Sequence, residues 1–525
     1  MTPITKEIFV HSPEAQAVIV PPSTGDAQYS YGSLQEQVGG VQRQIASLGI
    51  ERGGVVSSSL VNSPEFVAVF LATAAEGLVA APLNPAYKES EAHFYLEDTQ
   101  TKLLVLPSGA LEGKAGEGAS AAARAAQLLN VPVAEAVVDS GKIALVADGK
   151  PLSDGTPREA NPEDVALVLH TSGTTGRPKA VPLTHRNLVT SMYNIRDSYA
   201  LTAADRTMLV MPLFHVHGLL CGLLATLLAG GCVVLPMRFS ASTFWSDFVA
   251  TDANWYTAVP TIHQILLTVE RPSPMPSIRF IRSCSSSLSP ATLAAIEDAF
   301  KAPVLEAYAM TEAAHQMTTN PLPPGEHKPG TVGFGHGVEV RILNDRGESV
   351  PVGVPGEVCV RGANVTKGYV NNDKANRESF FRAEYGHPAD VDGFLRTGDQ
   401  GLIRSDGYLT LTGRIKELIN RSGEKISPLE VDAAFLAIDG VQEAVSFAVP
   451  HEVYGEVVGA VVVLKPDAKL DQAALQNALG EKLIKFKIPE RIWIVDAIPK
   501  TCVYADHSAT GKIQRRKVAA EFIGK

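Results

Sequence analysis

Thr171-Ser172-Gly173-Thr174-Thr175-Gly176-Arg177-Pro178-Lys179 is a hydroxyl- and glycine-rich segment that ends in a cation. It directly follows Val165-Ala-Leu-Val-Leu169, an apolar run that reads as a buried strand. Gly173 and Gly176 let the backbone turn sharply and come close to a ligand. The hydroxyls of Thr171, Ser172, Thr174 and Thr175 offer donors, and Arg177 and Lys179 offer charge, which is a composition suited to phosphate. It is not a Walker loop, because no Gly-Lys-Ser/Thr follows four residues after the first glycine. A shorter cluster would read as a surface turn; the donor density and the preceding strand argue for a ligand loop.

Outward from this loop, the chain has 525 residues, enough for more than one domain and a large core. Hydrophobic residues make up 45%, charged residues 19%, and the net charge is -10, so no basic excess points to nucleic acid. The five cysteines (221, 232, 284, 359, 502) form no Cys-x-x-Cys pair and read as reduced thiols of a cytosol-like compartment. The N-terminus lacks the apolar core of a signal peptide, and the C-terminus is not Ser-Lys-Leu. The longest apolar tract, Gly218 to Pro236, is broken by glycines and reads as buried helix and strand rather than a membrane span. These features predict a cytoplasmic enzyme with no membrane or nucleic-acid partner.

On both sides of the loop the pattern alternates helix and strand. Tyr31-Gly-Ser33-Leu-Gln-Glu-Gln-Val opens a helix with a serine cap. Val55 to Leu60 and Val79 to Leu83 read as strands around an amphipathic helix from Pro64 to Glu76, and residues 107–126 read as helix plus surface loop. Further strands are predicted at Met208 to Met211, Gly231 to Leu235, Trp255 to Val259 and Ile278 to Arg282. This is the βαβ rhythm of an α/β protein with a mainly parallel sheet. Between about 330 and 412 the texture becomes short β-runs with glycine-rich turns, a β-rich subdomain. Beyond it come a helix at Pro428 to Leu436, strands at 442–449 and 457–464, and a helix at 471–484. The expected organisation is a large domain at 1–412, a hinge at 413–418 around Lys416, and a small mobile α+β domain at 419–525.

Four further stretches accompany the loop: Ala307-Tyr-Ala-Met-Thr-Glu312, Thr397-Gly-Asp399, Gly413-Arg-Ile-Lys416 and Gly511-Lys512. Each alone is common, but five in this order and spacing resemble the adenylate-forming superfamily of acyl-CoA synthetases, coumarate–CoA ligases, luciferases and adenylation domains. The resemblance covers nearly the whole chain. It implies that a carboxylate attacks the α-phosphate of ATP to give an acyl-adenylate, and that the thiol of coenzyme A then displaces AMP.

The resemblance also implies residue roles. Thr171, Ser172, Gly173, Thr174, Thr175, Gly176 and Lys179 would cradle the β- and γ-phosphates. Tyr308 would stack on adenine, with Glu306, Ala307, Ser285 and Gly423 lining the nucleotide path. Thr311 would contact the α-phosphate and Glu312 would hold Mg²⁺, a hard cation that favours carboxylate oxygen. Asp399 would accept from the ribose hydroxyls beside Arg414. Lys512 would meet the charge that builds as the acyl-adenylate bond forms, and the small domain would close for that step and rotate away for the second about Lys416. Singly, Tyr308 would pass for core, Asp399 for a turn residue, and Arg414 and Lys416 for solvated charges.

The acid itself is set by the pocket, which in relatives is lined near residues 212–218, 282–288 and 307–315. Here those stretches bring His215, His217, Arg282, Ser283, Ser285, Ala309 and His315, with His263 in a neighbouring segment. An apolar acyl tail would leave these groups unpaired at about 1–3 kcal/mol each. A small polar dianion would pair them, with Arg282 and the histidines offsetting its second carboxylate. His215 is also a candidate catalytic residue. Pro212-Leu-Phe-His-Val-His-Gly-Leu219, Trp255-Tyr-Thr-Ala-Val-Pro-Thr-Ile-His-Gln264 and Arg279-Phe-Ile-Arg-Ser-Cys-Ser285 look like the oxalate–CoA ligase branch of plants and fungi, as does Gly413-Arg-Ile-Lys-Glu-Leu-Ile-Asn-Arg421. The expected substrate is therefore oxalate. The alternatives are an aromatic or medium-chain acid, or a catalytically silent nucleotide-binding relative.

His215-x-His217 invites a zinc reading, since on a strand both would face one side, but no third ligand stands at metal spacing. The serines at 283–287 lack a Gly-x-Ser-x-Gly elbow and read as hydrogen-bond donors. One departure from the branch concerns the far end. Relatives run Pro-Lys-Thr-Ala-Ser-Gly-Lys directly, whereas here the seven residues Cys502 to Ser508 separate Pro499-Lys-Thr501 from Ala509-Thr-Gly-Lys512. A longer loop costs little stability, but it bears on where Lys512 is placed.

Overall fold

The computed structural model describes residues 2–171, 178–498 and 515–523. Two large sheets form the body. In the nine-stranded sheet, six parallel strands run in the order Val304–Met310, Phe280–Ser283, Trp255–Ala258, Arg206–Leu209, Cys232–Val234 and Gln16–Val20. The antiparallel strands His315–Thr319 and Phe334–Gly335 extend one edge, and Ala27–Ser30 closes the other. The eight-stranded sheet has a parallel core of Val165–Thr171, Val79–Pro82, Val55–Ser58, Leu103–Pro107 and Val133–Asp139. These strands are near-continuous apolar runs because helices cover their faces. The helix Pro64–Ala75 shows why such runs are buried: Ser63 caps it, Pro64 starts it, and Phe66 through Ala74 are all buried.

The strand Val165–Thr171 is followed not by a helix but by the antiparallel strand Lys179–Thr184, with Lys179 the cross-strand partner of Thr171. Both ends of the hydroxyl-rich loop are thus held on adjacent strands. Residues Ser172 to Arg177 themselves lie outside the described residues.

A four-stranded antiparallel sheet joins Glu339–Leu343, Gly356–Arg361, Leu395–Ile403 and Leu409–Arg414, matching the β-rich texture. The short helix Asp373–Ser379 sits within that region and carried no sequence signal strong enough to mark it. Past the 3₁₀ turn Ile415–Glu417, a five-stranded sheet is built from Ile419–Arg421, Glu424–Ile426, Val441–His451, Gly455–Leu464 and Arg491–Ile494. Alternation along Gly455–Leu464 covers both faces. Val458, Ala460 and Val462 pack with residues of the helices Pro428–Leu436 and Gln472–Gly480, while Val461 and Val463 pack with Val518 and Phe522 of the helix Arg515–Phe522. The chain is thus an α/β protein of several sheets with a small α+β unit at its C-terminal end.

Two local expectations change. The cap of the helix Tyr31–Ala46 is Ser30, whose hydroxyl accepts from Ser33 N–H at 3.1 Å; Ser33 lies three residues inside. His215 and His217 are not on a strand, because Arg206–Leu209 ends before Pro212. His215 lies in an exposed turn, whereas His217 begins the π-helix His217–Leu224 and is buried. Two residues along a helical path point well apart, so the pair does not share a face. Gly218 makes this possible: a Cβ there would stand 2.3 Å from the Pro212 carbonyl oxygen. Cys221, Cys232, Cys284 and Cys359 are free and buried, and Cys502 lies outside the described residues. No helix among the described residues is long and apolar enough to cross a membrane.

Candidate active site

The parallel strands of the nine-stranded sheet end on one side, where open α/β sheets place their ligands. Ser285 follows Phe280–Ser283 and Thr311 follows Val304–Met310 at these ends. Tyr308, near the end of its strand, is buried and donates its hydroxyl to Asp399 Oδ2 at 2.5 Å. Arg414 Nε stands 3.1 Å from the other Asp399 oxygen, and the two residues are cross-strand partners in the four-stranded sheet. Burial, then the Asp399 carboxylate, push the Tyr308 hydroxyl well above its usual pKa, so it remains a donor.

Glu312, in the 3₁₀ turn Thr311–Ala313, is 4% exposed and accepts from the Tyr369 hydroxyl at 2.8 Å. Its carbonyl accepts from Thr366 N–H at 2.7 Å. The Lys179 ammonium sits 4.1 Å from the centroid of the same Tyr369 ring. Burial lowers the Lys179 pKa; the Glu312 carboxylate opposes this, and the Lys416 and Arg414 cations reinforce it. Lys179, Arg414 and Lys416 therefore converge on one region around Glu312, a field that suits a polyanion.

The third group is a polar wall. His217 Nε2 lies 2.6 Å from Thr257 Oγ1, and His217 Nδ1 lies 3.1 Å from Ser285 Oγ. The His217 and His315 rings stack at 5.2 Å and 24°. Arg282 is fully buried, with Nε donating to Tyr199 Oη at 2.7 Å, Nη1 to Thr257 Oγ1 at 3.2 Å and Nη2 to Gln316 Oε1 at 3.4 Å. Ser283 Oγ and His315 Nε2 are buried without a hydrogen-bond partner. Burial holds His217 and His315 well below the usual histidine range, and the Arg282 cation pushes the same way.

These facts alter the expected roles. Both histidines are neutral, because a second buried charge beside Arg282 would be too costly, so they offer hydrogen bonds rather than charge. Arg282 has no exposed surface and reaches the wall through Thr257 and His217, rather than presenting its guanidinium directly. His263 is fully buried, its Nδ1 3.2 Å from the Tyr256 hydroxyl, and burial takes its pKa down to about 3. His215 is exposed beside Phe214, ring centroids 4.8 Å apart.

The remaining candidates fall around this frame. Glu306 is buried, its Oε1 accepting from Gly330 N–H at 2.9 Å; burial pushes its pKa up to about 7 against that bond and one from Leu288 N–H. Ala307 is buried, and Ala309 and Thr311 are half-buried, flanking Tyr308 and Glu312. Gly423, φ +93°, turns the hairpin Ile419–Arg421/Glu424–Ile426 in the small unit, its N–H 3.0 Å from Asn420 Oδ1.

The profile of the AMP-binding enzyme family matches residues 7–370, and that of the family's C-terminal domain matches residues 430–503. The chain belongs to the AMP-binding enzyme family. As an AMP-binding enzyme it is 45% identical over 533 residues to the oxalate–CoA ligase of Saccharomyces cerevisiae, spanning 96% of this chain and 94% of that protein. It is 48% identical over 493 residues to the oxalate–CoA ligase of Arabidopsis thaliana, spanning 92% and 91%. Among solved structures it resembles ATP-bound MatB from Rhodopseudomonas palustris, 28% identical, with a TM-score of 0.85 over 100% of this chain and 99% of that one.

Sequence reading of this AMP-binding enzyme left out Tyr369, Thr257, Tyr199 and Gln316. Thr257 was visible as a small hydroxyl side chain inside the buried strand Trp255–Ala258, where a buried hydroxyl needs a polar partner. Tyr369, Tyr199 and Gln316 carry no motif. Lys512 and the residues 502–508 lie outside the described residues.

Proposed function

We propose that this AMP-binding enzyme joins oxalate to coenzyme A at the expense of ATP, through an oxalyl-adenylate, releasing AMP and pyrophosphate, as an entry step of oxalate breakdown. The observation that carries the reading is the wall beside the nucleotide cluster. His217, His315 and Ser285 are polar, compactly placed and backed by one buried cation, and the likeness to two oxalate–CoA ligases points the same way.

Tyr308, Asp399 and Arg414 hold adenine and ribose, with Glu306, Ala307 and Ser285 shaping the adjoining path. The loop from Thr171 to Lys179 holds the triphosphate, Thr311 faces the α-phosphate, and Lys512 meets the charge formed as the acid attacks. Glu312 is the Mg²⁺ ligand. Among the described residues no group of three or more His, Cys, Asp or Glu could hold a metal unaided. A single buried carboxylate beside a polyanion site therefore suits Mg²⁺, which takes one or two carboxylates and fills its shell with water and phosphate oxygens. When bound, the ion neutralises phosphate charge. Ser285 and the unpartnered Nε2 of His315 receive the distal carboxylate, with His217 holding Ser285 from behind and Ser283, Ala309 and His215 around them. Residues 1–412 act as the large domain and 419–525, with Gly423, as a small mobile one, and 413–418 absorb its rotation about Lys416 between the two half-reactions.

ATP–pyrophosphate exchange across oxalate, malonate, acetate, coumarate and octanoate tests the acid, with mass analysis of the CoA product. Oxalate should support exchange at least tenfold faster than any other acid. Preference for an aromatic or medium-chain acid would overturn the substrate, and silence with every acid would favour the nucleotide-binding relative.

A further inference from the structure

Thr257 and Arg282 are register partners on adjacent parallel strands, so their side chains leave the same face of the sheet. Both converge on one nitrogen. His217 Nε2 has Thr257 Oγ1 at 2.6 Å and Arg282 Nη1 at 3.4 Å, and that Nη1 also reaches Thr257 Oγ1 at 3.2 Å. A guanidinium can only donate. A hydrogen on Nε2 would face the hydrogens of a buried cation, whereas a lone pair there is attracted to them.

The hydroxyl of Thr257 has one hydrogen and two lone pairs. One lone pair takes the Arg282 donor. Burial keeps the neighbouring Cys221 thiol protonated, so it carries no charge to draw the hydroxyl hydrogen and is a weaker acceptor than an imidazole lone pair. The hydroxyl hydrogen then goes to His217 Nε2. With Nε2 accepting, the ring proton of neutral His217 must sit on Nδ1, which is 3.1 Å from Ser285 Oγ. Ser285 Oγ accepts it, and its own hydrogen is left to point elsewhere. Ser285 is exposed and held at φ +73°, a left-handed conformation that costs a serine roughly 1 kcal/mol.

We infer that Thr257 and Arg282 are positioning residues that fix His217 as its Nδ1–H tautomer and so commit the Ser285 hydroxyl hydrogen to an incoming carboxylate oxygen. An ionised carboxylate only accepts, so this polarity selects for an anionic acid. It also explains why a cation is buried one layer behind the wall instead of in it. The inference rests on the oxalate reading only for the identity of the acid; the tautomer is a property of the free protein.

The test uses full-length protein labelled with ¹⁵N-histidine. Two-bond ¹H–¹⁵N correlation spectra separate the two neutral tautomers, and the signals lost in His217→Gln assign the residue. Wild type should show His217 protonated at Nδ1 only. Thr257→Val, which removes the hydroxyl but keeps the shape, should give a mixed or reversed tautomer. It should also raise KM for oxalate about tenfold, the loss of one oriented hydrogen bond, with KM for ATP within twofold, and Thr257→Ser should restore both. An Nε2–H tautomer in wild type overturns the inference, even if Thr257→Val fails to fold. So does an unchanged tautomer in Thr257→Val, or an equal rise in both KM values. A wild type that ignores oxalate yet shows the Nδ1–H tautomer sinks the substrate reading and leaves the relay standing.

Discussion

The Tyr308 hydroxyl donates to Asp399 Oδ2 across 2.5 Å, tying the end of a parallel strand in the nine-stranded sheet to the four-stranded sheet. Arg414 engages the other oxygen at 3.1 Å. The carboxylate is thus oriented from two sides, the preorganisation that its proposed contact with ribose calls for.

Asp399→Asn keeps the shape and removes the charge. Hydrogen bonds to a charged group are worth about 1.5–3 kcal/mol, so KM for ATP should rise about 10- to 100-fold. KM for the acid should stay within about threefold. Pyrophosphate exchange with ATP and acid varied separately measures both. A parallel rise in the two would show that the Tyr308–Asp399–Arg414 tie serves the fold rather than the nucleotide.

Tyr369 donates to Glu312 and offers its ring to Lys179, so one side chain orients both the proposed cation ligand and a proposed phosphate contact. Removing an outer partner of a metal ligand commonly costs 10- to 100-fold in metal affinity. Tyr369→Phe keeps the ring under Lys179 and should raise the Mg²⁺ concentration for half-maximal exchange about tenfold, with full rate recovered at excess Mg²⁺. Glu312→Gln should not recover. A magnesium titration that leaves Tyr369→Phe unchanged would mean that its hydroxyl does not orient Glu312.

Much of this site is legible in sequence because its parts lie next to backbone signals. Tyr308 lies near the end of a strand that Thr311 and Glu312 follow, Asp399 and Arg414 face each other across a hairpin, and the 171–179 segment joins two antiparallel strands. Helix limits such as Pro428–Leu436 were readable because Ser427 caps that helix and Pro428 starts it. The opposed settings of His215 and His217 were not, since a π-helix follows from tertiary packing around Gly218 and has no period of its own in the sequence. Nor was the depth of Arg282. An arginine inside a strand reads as a contact residue, and only Tyr199, Gln316 and Thr257, brought in from distant segments, show that the chain itself satisfies it.

Glu306 makes stability depend on pH in a direction opposite to most carboxylates. Its folded pKa, about 7, lies above the unfolded value of 4.5, because burial outweighs the Gly330 and Leu288 N–H groups. The folded state therefore keeps a proton that the unfolded state gives up. This stabilisation is complete below pH 4.5 and is lost as pH rises through 7, by at most about 3 kcal/mol. Glu306→Gln cannot ionise. Its melting temperature relative to wild type should rise by a few degrees between pH 5 and pH 8. The buried histidines are shared by both proteins and cancel in the difference. A gap that is flat with pH would mean that Glu306 is ionised throughout.

Arg515 lies three residues beyond Lys512 and is anchored in the small unit, with Nη2 2.8 Å from Asp432 Oδ2 and Nη1 on the Ser446 carbonyl. It also approaches Glu417 at 3.5 Å, next to Lys416. In the proposed two-step reaction Lys512 serves adenylation only. Lys512→Ala should therefore cut pyrophosphate exchange at least 100-fold while thioester formation from a supplied acyl-adenylate falls less than threefold. Asp432→Ala removes the anchor and leaves Arg515 with only the more distant Glu417 carboxylate, which is destabilising. At a temperature where it stays folded, it should show the same asymmetry in weaker form, about tenfold on exchange. Deleting residues 502–508 should preserve or improve exchange, because it restores the spacing of the oxalate–CoA ligase branch on the N-terminal side of Lys512. Equal loss of both half-reactions in Lys512→Ala would rule out the division of labour on which the rotating small domain depends.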